Sequence, residues 1–240
     1  SSSKAPISSG KQVISVVGLN DKSILAIDLE FLHDGLPERK LISEWVKPVF
    51  DEPKVPAISD YNQVAIDLAH RLNISSFEFI STQYDHEVQS MTILKPLQGR
   101  GRVNGEASVI KPIANSPKGV AVSQALYPSL SELDPYQMAL NTIDSAVRNL
   151  VSVGVDPDKI ALLDNFCWCS SFEKQRLGEL KMAAKGCFDG AVEFGSPFIS
   201  GKDSMFNDFK GFDDKGYPVK ISVPPTLLIS SISVMDDVEK

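Results

Sequence analysis

This chain has few histidines, few cysteines and no long apolar run, and each shortage excludes a class of protein. No apolar stretch approaches the ~18 to 20 residues of a membrane span, and the polar start lacks the apolar segment of a signal peptide. The three cysteines include Cys167 and Cys169, whose spacing is too short for the usual zinc-binding pair, and none of the three histidines completes such a site. We therefore expect reduced thiols, no structural zinc and a cytoplasmic location.

The chain also has fewer basic than acidic residues. The 24 Lys and Arg residues against 31 Asp and Glu residues leave a formal net charge of -7. A general nucleic-acid binder needs a basic face that displaces counterions, so no nucleic-acid partner is expected. A phosphate ligand remains compatible with this charge, because a few local cations and backbone N–H groups are enough to bind it. The composition, with 42% hydrophobic and 23% charged residues, is that of an ordinary globular protein.

The pattern of apolar and polar residues divides the 240-residue chain into four segments. Residues 1–10 are polar and Ser-rich and are expected to be a disordered lead-in. Residues 11–45 contain two alternating runs around a short turn, which predicts a β-hairpin. Residues 46–73 are predicted to be a proline-containing linker and one helix. Residues 74–240 are predicted to form a single α+β domain.

Two helices and several strands are predicted inside the α+β segment. A helix from about Pro135 to Val153 has apolar residues at helical spacing, and Asp134 precedes it as an N-cap. A second helix over residues 173–195 joins two short apolar strands. A polar hairpin over residues 207–219 then leads to a last apolar strand, TLLISSISVM.

Polar residues are expected at the ends of the two strands that the second helix joins. Ligands collect at the carboxyl ends of strands in such sheets, so this arrangement predicts a phosphate or nucleotide site. Lys202 would neutralise phosphate oxygens, and Asp203 and Ser204 would offer the oxygen ligands that Mg²⁺ requires. Hydrogen-bonded polar turns without a ligand are the alternative interpretation. The residues in question are Asp164, Asn165, Gly201, Lys202, Asp203 and Ser204.

Two further groups of polar residues have a functional and a structural interpretation. Asp144 and Arg148 are four residues apart on the first helix and would form an exposed salt bridge, whereas Asn149 would point at a metal or at solvent. The triplet of residues 85–87, with His86 between two carboxylates, would serve acid–base chemistry or a structural role. The sequence contains no Gly-x-Ser-x-Gly elbow and no Gly-x-Gly-x-x-Gly after a strand, so nucleophilic hydrolase and dinucleotide-binding functions have no support.

Seven segments, in order and over most of the chain, resemble phosphoribosylformylglycinamidine synthase. This family belongs to a superfamily with aminoimidazole ribonucleotide synthetase and selenophosphate synthetase. FLHDGLP near the start is similar to the family as well. The seven segments are QYDHEVQ (83–89), ILKPLQGRGRV (93–103), LDPYQMA (133–139), AVRNLVSVGVDP (146–157), ALLDNFCW (161–168), FISGKDSMFND (198–208) and SVPPTLLIS (222–230).

The resemblance implies a fold and a place in a larger protein. Family members contain two copies of a two-domain module, and this chain resembles the tail of the first copy, a connecting segment and the N-terminal domain of the second copy. The implied fold is α+β, with a mixed four-stranded sheet that has helices on one face, preceded by a β-hairpin. In the family such sheets pair into a barrel, with nucleotide bound near the interface between the domains.

The resemblance also implies an activity. Family members are ligases of purine biosynthesis that convert formylglycinamide ribonucleotide to the amidine with ATP and glutamine-derived ammonia. The implied cofactors are ATP or ADP and Mg²⁺, and the implied partners are the ribonucleotide substrate, a glutaminase domain or subunit and the remaining synthase domains. A homodimer through the sheet stays open, and no membrane partner is expected. The isolated piece is predicted to be inactive.

Site roles follow from the residues that match family motifs. His86, beside Asp85 in the YDHEV segment, is the catalytic candidate, and a substrate-side or structural role for it is left open. The nucleotide-binding candidates are Asp164, Asn165, Gly201, Lys202 and Ser204. The metal-binding candidates are Asn149, Asp164, Asp203 and Asp144.

Three positions depart from the family pattern. Ser145 stands where a metal-binding Glu is common, Ser129 lies in a stretch that usually contains an Arg, and Cys169 replaces the usual Gly. Such losses weaken substrate and Mg²⁺ binding, so we predict a site that holds nucleotide rather than one that reacts, unless Asp144 compensates for Ser145. The alternatives are a non-catalytic assembly domain with a decayed nucleotide site and a sibling small-molecule kinase or ligase of the superfamily.

Overall fold

The computed structural model describes residues 12–83 and 90–239, and the chain divides between Leu41 and Ile42 into two compact units. In the first unit, β1 (Val13–Val17) and β2 (Ser23–Asp28) form an antiparallel hairpin, followed by α1 (Leu29–Asp34). The predicted hairpin near the start of the chain is therefore confirmed. None of the helices within residues 12–83 and 90–239 combines the length with the apolar composition that a membrane span requires.

The second unit contains four α-helices and ten strands among the described residues. The helices are α2 (Tyr61–Ala69), α3 (Glu78–Ser81), α4 (Pro135–Val151) and α5 (Lys174–Phe194). The strands are β3 (Thr92–Leu94), β4 (Leu97–Gln98), β5 (Val103–Asn104), β6 (Ala107–Ile110), β7 (Gly119–Leu126), β8 (Ala161–Cys167), β9 (Phe198–Ser204), β10 (Asp208–Phe212), β11 (Pro218–Ser222) and β12 (Thr226–Met235).

Six of these strands form one mixed sheet in the order β3-β6-β7-β12-β8-β9. All its pairs are antiparallel except β8 with β9, which are parallel and joined through α5. The α+β class with a mixed sheet is confirmed, but the expectation of four strands is wrong. The short strand β3 and the strand β9 extend the sheet at its two edges, where exposed positions need no long apolar pattern.

The core lies between one face of this sheet and the helices α4 and α5. Alternate residues of β12, including Leu227 and Ile229, are fully buried, while the residues between them are only half-buried. The two helices approach closely because α5 presents small residues: a Cβ added at Gly186 would lie 2.6 Å from the backbone oxygen of Tyr136. The helices thus cover one face of the sheet, and the other face is more exposed to solvent.

The first turn of α4 is capped by Asp134, which also forms an ion pair with Lys47. Asp134 Oδ1 accepts hydrogen bonds from the backbone N–H groups of Tyr136 (3.1 Å) and Gln137 (3.2 Å), which is the predicted N-cap. Asp134 Oδ2 accepts from Lys47 Nζ at 2.7 Å. Three residues earlier, the Glu44 N–H donates to the carbonyl of Lys174 at 3.0 Å. The connecting segment after residue 42 therefore ties the beginnings of α4 and α5 together.

Candidate functional site

The polar residues expected in two turns lie inside two paired strands. In the parallel pairing of β8 with β9, Asp164 is opposite Gly201, Asn165 is opposite Lys202, and Cys167 is opposite Ser204. The expectation that each strand stops before these residues is wrong. An edge strand exposes most of its side chains to solvent, so polar residues continue β9 without an apolar pattern to mark it.

The alternation of side chains along a strand distributes the candidates over both faces of the sheet. Leu162 and Phe166 are buried in the core beneath the helices, so Asp164, between them at a spacing of two, lies on the helix-covered face. Asn165 and Cys167 occupy the alternate positions, on the opposite face. The register extends this division to β9: Gly201 and Asp203 share the face of Asp164, whereas Lys202 and Ser204 share the face of Asn165.

Two carboxylates lie next to each other on the helix-covered face. An added Cβ at Gly201 would lie 2.5 Å from Asp164 Oδ1, so the glycine leaves the space that this carboxylate occupies. Burial raises the pKa of Asp164, and the negative charge of the neighbouring Asp203 raises it further. On α5, burial raises the pKa of the Cys187 thiol to about 12, with smaller contributions from the same two carboxylates. A proton or a cation between two adjacent carboxylates relieves their mutual repulsion.

A cation, a hydroxyl and a thiol lie together on the opposite face. Lys202 Nζ donates to Ser204 Oγ at 2.8 Å, and Ser204 Oγ donates to the carbonyl of Phe166 at 3.4 Å. Cys167 Sγ lies 3.7 Å from Ser204 Oγ and 3.8 Å from Asn165 Oδ1. The ammonium and hydroxyl groups suit phosphate oxygens. Cys167 was not among the site residues predicted from the sequence, although its position two residues after Asn165 puts it on the same face of a strand.

The acidic candidate on α4 is already paired. Asp144 Oδ2 accepts from Arg148 Nε at 2.7 Å on an exposed surface, which is the salt bridge that the i,i+4 spacing indicated. Ser145, at the position where a metal-binding Glu is common, has its hydroxyl 2.9 Å from the hydroxyl of Tyr127. Neither residue contributes to a carboxylate cluster with Asp164, because α4 lies over β7 and β12 rather than over β8 and β9.

The remaining predicted residues are also separated from the strand pair. Asn149 Nδ2 donates to the carbonyl of Gln124 on β7 at 3.3 Å. Within residues 12–83 and 90–239, no group of three or more His, Cys, Asp or Glu side chains is arranged to hold a metal ion. Asp164 and Asp203 are thus the two metal candidates that the structure brings together. The catalytic candidate His86 lies outside the described residues.

The two residues that follow β8 pack into the core and line no open pocket. Trp168 is fully buried, and its indole Nε1 donates to the carbonyl of Arg176 at 2.9 Å. Cys169 is also fully buried, and burial raises the pKa of its thiol. The replacement of the usual Gly at this position is therefore accommodated as a small apolar core residue.

A family model described as AIR synthase related protein, N-terminal domain, matches residues 104–223, which is half of the chain. The chain belongs to this family. The resemblance found in the seven sequence segments is confirmed. The match covers four strands of the six-stranded sheet, β6, β7, β8 and β9, together with the β10–β11 hairpin.

Curated relatives of the chain agree with this assignment. Phosphoribosylformylglycinamidine synthase subunit PurL of Thermoplasma volcanium is 32% identical over 240 residues, an alignment that covers 96% of this chain and 29% of the relative. The subunit PurL of Methanocaldococcus jannaschii is 34% identical over 190 residues, with 79% of this chain and 24% of the relative covered. The chain thus spans less than a third of the length of these relatives.

Solved structures of PurL from Thermotoga maritima share the fold. The structure described as T. maritima PurL complexed with ADP has a TM-score of 0.61 and 19% identity, and covers 95% of this chain and 32% of that chain. The structure described as PurLQS from T. maritima has a TM-score of 0.59 and 18% identity, with 92% of this chain and 31% of that chain covered. At this level of identity the likeness establishes the architecture of the chain, not its ligands.

Proposed function

We propose that this chain supplies a magnesium–nucleotide-binding part of a phosphoribosylformylglycinamidine synthase, an ATP-dependent ligase of purine biosynthesis. The curated relatives carry the name of this synthase, and PurL of T. maritima has been solved with ADP, ATP and AMPPCP. The observation that carries the proposal is the parallel pairing of β8 with β9. This pairing brings Lys202 and Ser204 beside Asn165 on one face, and Asp164 beside Asp203 on the other.

Phosphate and metal would be held by different groups. Lys202 and Ser204 would donate to phosphate oxygens, and Asn165 would add an amide N–H on the same face. Asp164 and Asp203 fit a hard cation, because they are two adjacent carboxylates whose mutual repulsion a positive charge removes. Bound Mg²⁺ would supply charge neutralisation for the triphosphate. Since β9 is an edge strand, a ligand that crosses its free edge reaches both faces.

The whole reaction would need more than this chain. The substrate formylglycinamide ribonucleotide, the glutaminase that supplies ammonia and the remaining synthase domains are proposed partners, and PurL of T. maritima has been solved with FGAR and in a PurLQS structure. The role of His86 and a cytoplasmic location stay predictions within this proposal. We expect the isolated chain to be silent in a steady-state assay with ATP and ammonia, and clear turnover would contradict that expectation.

The more exposed sheet face is the proposed surface for another synthase domain. On β12, Leu228 and Ile232 alternate with the core residues and are only half-buried, and Val234 is 56% exposed. On β7, Val122 occupies the corresponding position opposite Ile232. An apolar sheet face of this kind gains stability when a second sheet covers it. A second copy of the chain is the alternative occupant, and sedimentation at several concentrations distinguishes a monomer from a dimer.

Calorimetry with ADP and Mg²⁺ tests the nucleotide site. We expect micromolar binding that weakens at least tenfold in Lys202→Ala, since a phosphate contact is lost. Asp164→Asn should weaken binding only when Mg²⁺ is present. Lys215→Ala, in the β10–β11 turn, is the matched control and should bind as the unchanged chain does. Absence of heat in the unchanged chain would favour a non-catalytic assembly domain, and a sibling kinase or ligase would appear only on screening other phosphate acceptors.

The predicted role of holding nucleotide without turnover has one specific observation in its favour. Ser145, which stands where a metal-binding Glu is common, is engaged with the Tyr127 hydroxyl, and Asp144 is engaged with Arg148. No carboxylate from α4 is therefore available to complete a metal site. Slow release of ADP from the chain, measured by dilution, would support a holding role, and rapid exchange would argue against it.

A further inference from the structure

Two phenylalanines form an exposed pair at the carboxyl ends of β8 and β9. Phe172 lies in the connection from β8 to α5, and Phe206 follows the end of β9. Their ring centroids are 4.9 Å apart and the ring planes are tilted by 58°. Phe172 is 60% exposed and Phe206 is 48% exposed, although aromatic rings usually gain stability by burial. We call Phe172 and Phe206 the ring pair.

The backbone of Phe206 is held in a conformation that an aromatic residue rarely adopts. Its φ is +61°, in the left-handed region that favours glycine, and Phe206 is the one aromatic among the described non-glycine residues with positive φ. The Phe206 N–H donates to the carbonyl of Cys169 (3.3 Å), and the Asn207 N–H donates to that of Trp168 (3.0 Å). Strain of this kind persists where the surrounding structure enforces it, and it clusters at ligand sites.

The ring pair lies directly beyond the proposed phosphate contacts. Ser204, whose hydroxyl receives the hydrogen bond from Lys202, is two residues before Phe206. Asn207 Nδ2 donates to the Ser204 carbonyl at 3.0 Å, so the short connection after β9 is fixed relative to the end of the strand. Ligands of sheets with parallel strands bind outside the carboxyl ends of those strands, which is where the ring pair lies.

We propose that Phe206, supported by Phe172, holds the purine base of the nucleotide whose phosphates contact Lys202 and Ser204. This inference rests on the proposed nucleotide site and adds the residues that would select a nucleotide over a bare polyphosphate. Two tilted rings let a planar base stack on the face of one ring while its edge meets the other. Stacking accepts any base and distinguishes a nucleotide from phosphate alone. Phe206 would thus be a binding residue. A ring that contacts the base would be a reason for phenylalanine, rather than glycine, at this position of positive φ.

The test compares two probes, ADP with Mg²⁺ and inorganic tripolyphosphate with Mg²⁺, by calorimetry on the full chain. Phe206→Gly removes the ring and leaves a residue that adopts positive φ without strain, so the variant should fold as well as the unchanged chain. We expect ADP binding at least tenfold weaker in Phe206→Gly, unchanged tripolyphosphate binding, and recovery of ADP binding in Phe206→Trp. Phe188→Ala, which removes a ring that is 68% exposed on α5, is the control and should change neither affinity.

The outcomes separate this inference from the proposed function. If Phe206→Gly binds ADP as the unchanged chain does while Lys202→Ala weakens both probes, the nucleotide site stands and the role of the ring pair is wrong. Equal weakening of both probes in Phe206→Gly would also overturn the inference, because the ring would then act only by shaping the strand end. If Lys202→Ala changes neither affinity, or ADP does not bind, the proposed function fails and the inference fails with it.

Discussion

Gly201 lies directly opposite Asp164 in the parallel pairing of β8 with β9, and its missing side chain makes room for the Asp164 carboxylate. An added Cβ at residue 201 would lie 2.5 Å from Asp164 Oδ1 and 3.0 Å from both Cγ and Oδ2. The carboxylate therefore lies over the backbone of the neighbouring strand, beside Asp203. Asp164 and Asp203 are far apart in the chain. Their carboxylates can lie side by side because Gly201 has no side chain to fill the space that the Asp164 carboxylate occupies.

Gly201→Ala should displace the Asp164 carboxylate and destabilise the fold. We expect the free energy of unfolding to fall by about 1–3 kcal/mol, the usual cost of overpacking, and Mg²⁺-dependent ADP binding to weaken. Urea denaturation measures the first effect. Gly101→Ala is the matched control, because its added Cβ would meet only a Val103 side-chain atom at 3.4 Å. Equal stability of the two variants would contradict the close approach.

The Cys187 thiol should make stability depend on alkaline pH. Burial raises its pKa from 9.0 to about 12 in the folded state, so above pH 9 the unfolded chain loses this proton while the folded chain keeps it. Stability is then fully present below about pH 9 and is lost as pH rises toward 12, by roughly 1 kcal/mol per pH unit. Cys187→Ala should remove this part of the slope. Parallel unfolding curves for both proteins between pH 8 and pH 10.5 would show that the thiol does not contribute.

Thiol labelling should distinguish Cys167 from the other two cysteines. Cys167 is half-buried beside Ser204, whereas Cys169 and Cys187 are buried with raised pKa values. A colorimetric disulfide reagent at pH 8 should modify one thiol quickly and two only on unfolding. Cys167→Ala should abolish the fast phase, and saturating ADP with Mg²⁺ should slow it at least threefold. Fast labelling that ADP leaves unchanged would place the nucleotide elsewhere.

Asp134 should matter more to stability than its partner Lys47. Asp134→Ala removes the N-cap of α4 and leaves backbone N–H groups unpaired, so the free energy of unfolding should fall by about 1–2 kcal/mol. Lys47→Ala removes only a contact of a largely exposed ammonium and should cost less than about 1 kcal/mol. Asp134→Asn, which retains a cap, should resemble Lys47→Ala. Equal losses in all three variants would mean that the ion pair, not the cap, dominates.

Local rules were enough for the elements whose signals lie in neighbouring residues. The N-cap at Asp134, the beginning of α4 at Pro135 and the salt bridge between Asp144 and Arg148 were all predicted from spacings of one to four residues. The alternating apolar run of β12 also matched its predicted strand. Each of these features is decided within a helical turn or a few residues of strand, where propensity and capping act.

The full extent of the edge strand β9 could not be predicted from such local signals. Residues 201–204 are polar and follow a short apolar run, a pattern that is typical of a turn, yet they pair with residues 164–167 of β8. What holds them extended is the neighbouring strand, which is nearly forty residues away in sequence. The faces on which Asp164 and Asn165 lie also depend on residues distant in sequence. Which face of β8 is buried is known only once the strand is paired and packed against the helices.

Local sequence patterns were sufficient to predict the family, the α+β class, the N-terminal hairpin and the set of polar residues from which a site can be built. The motifs and periodicities that indicate them involve residues close together in the chain, so they can be recognised without knowing the tertiary contacts. Folding divides that set: Asp164 lies beside Asp203 on the face that carries the helices, Lys202 lies beside Ser204 on the opposite face, and Asn149 lies apart on α4, where it donates to β7. Long-range pairing and burial select those neighbours, because only a folded sheet gives each side chain a face and a partner.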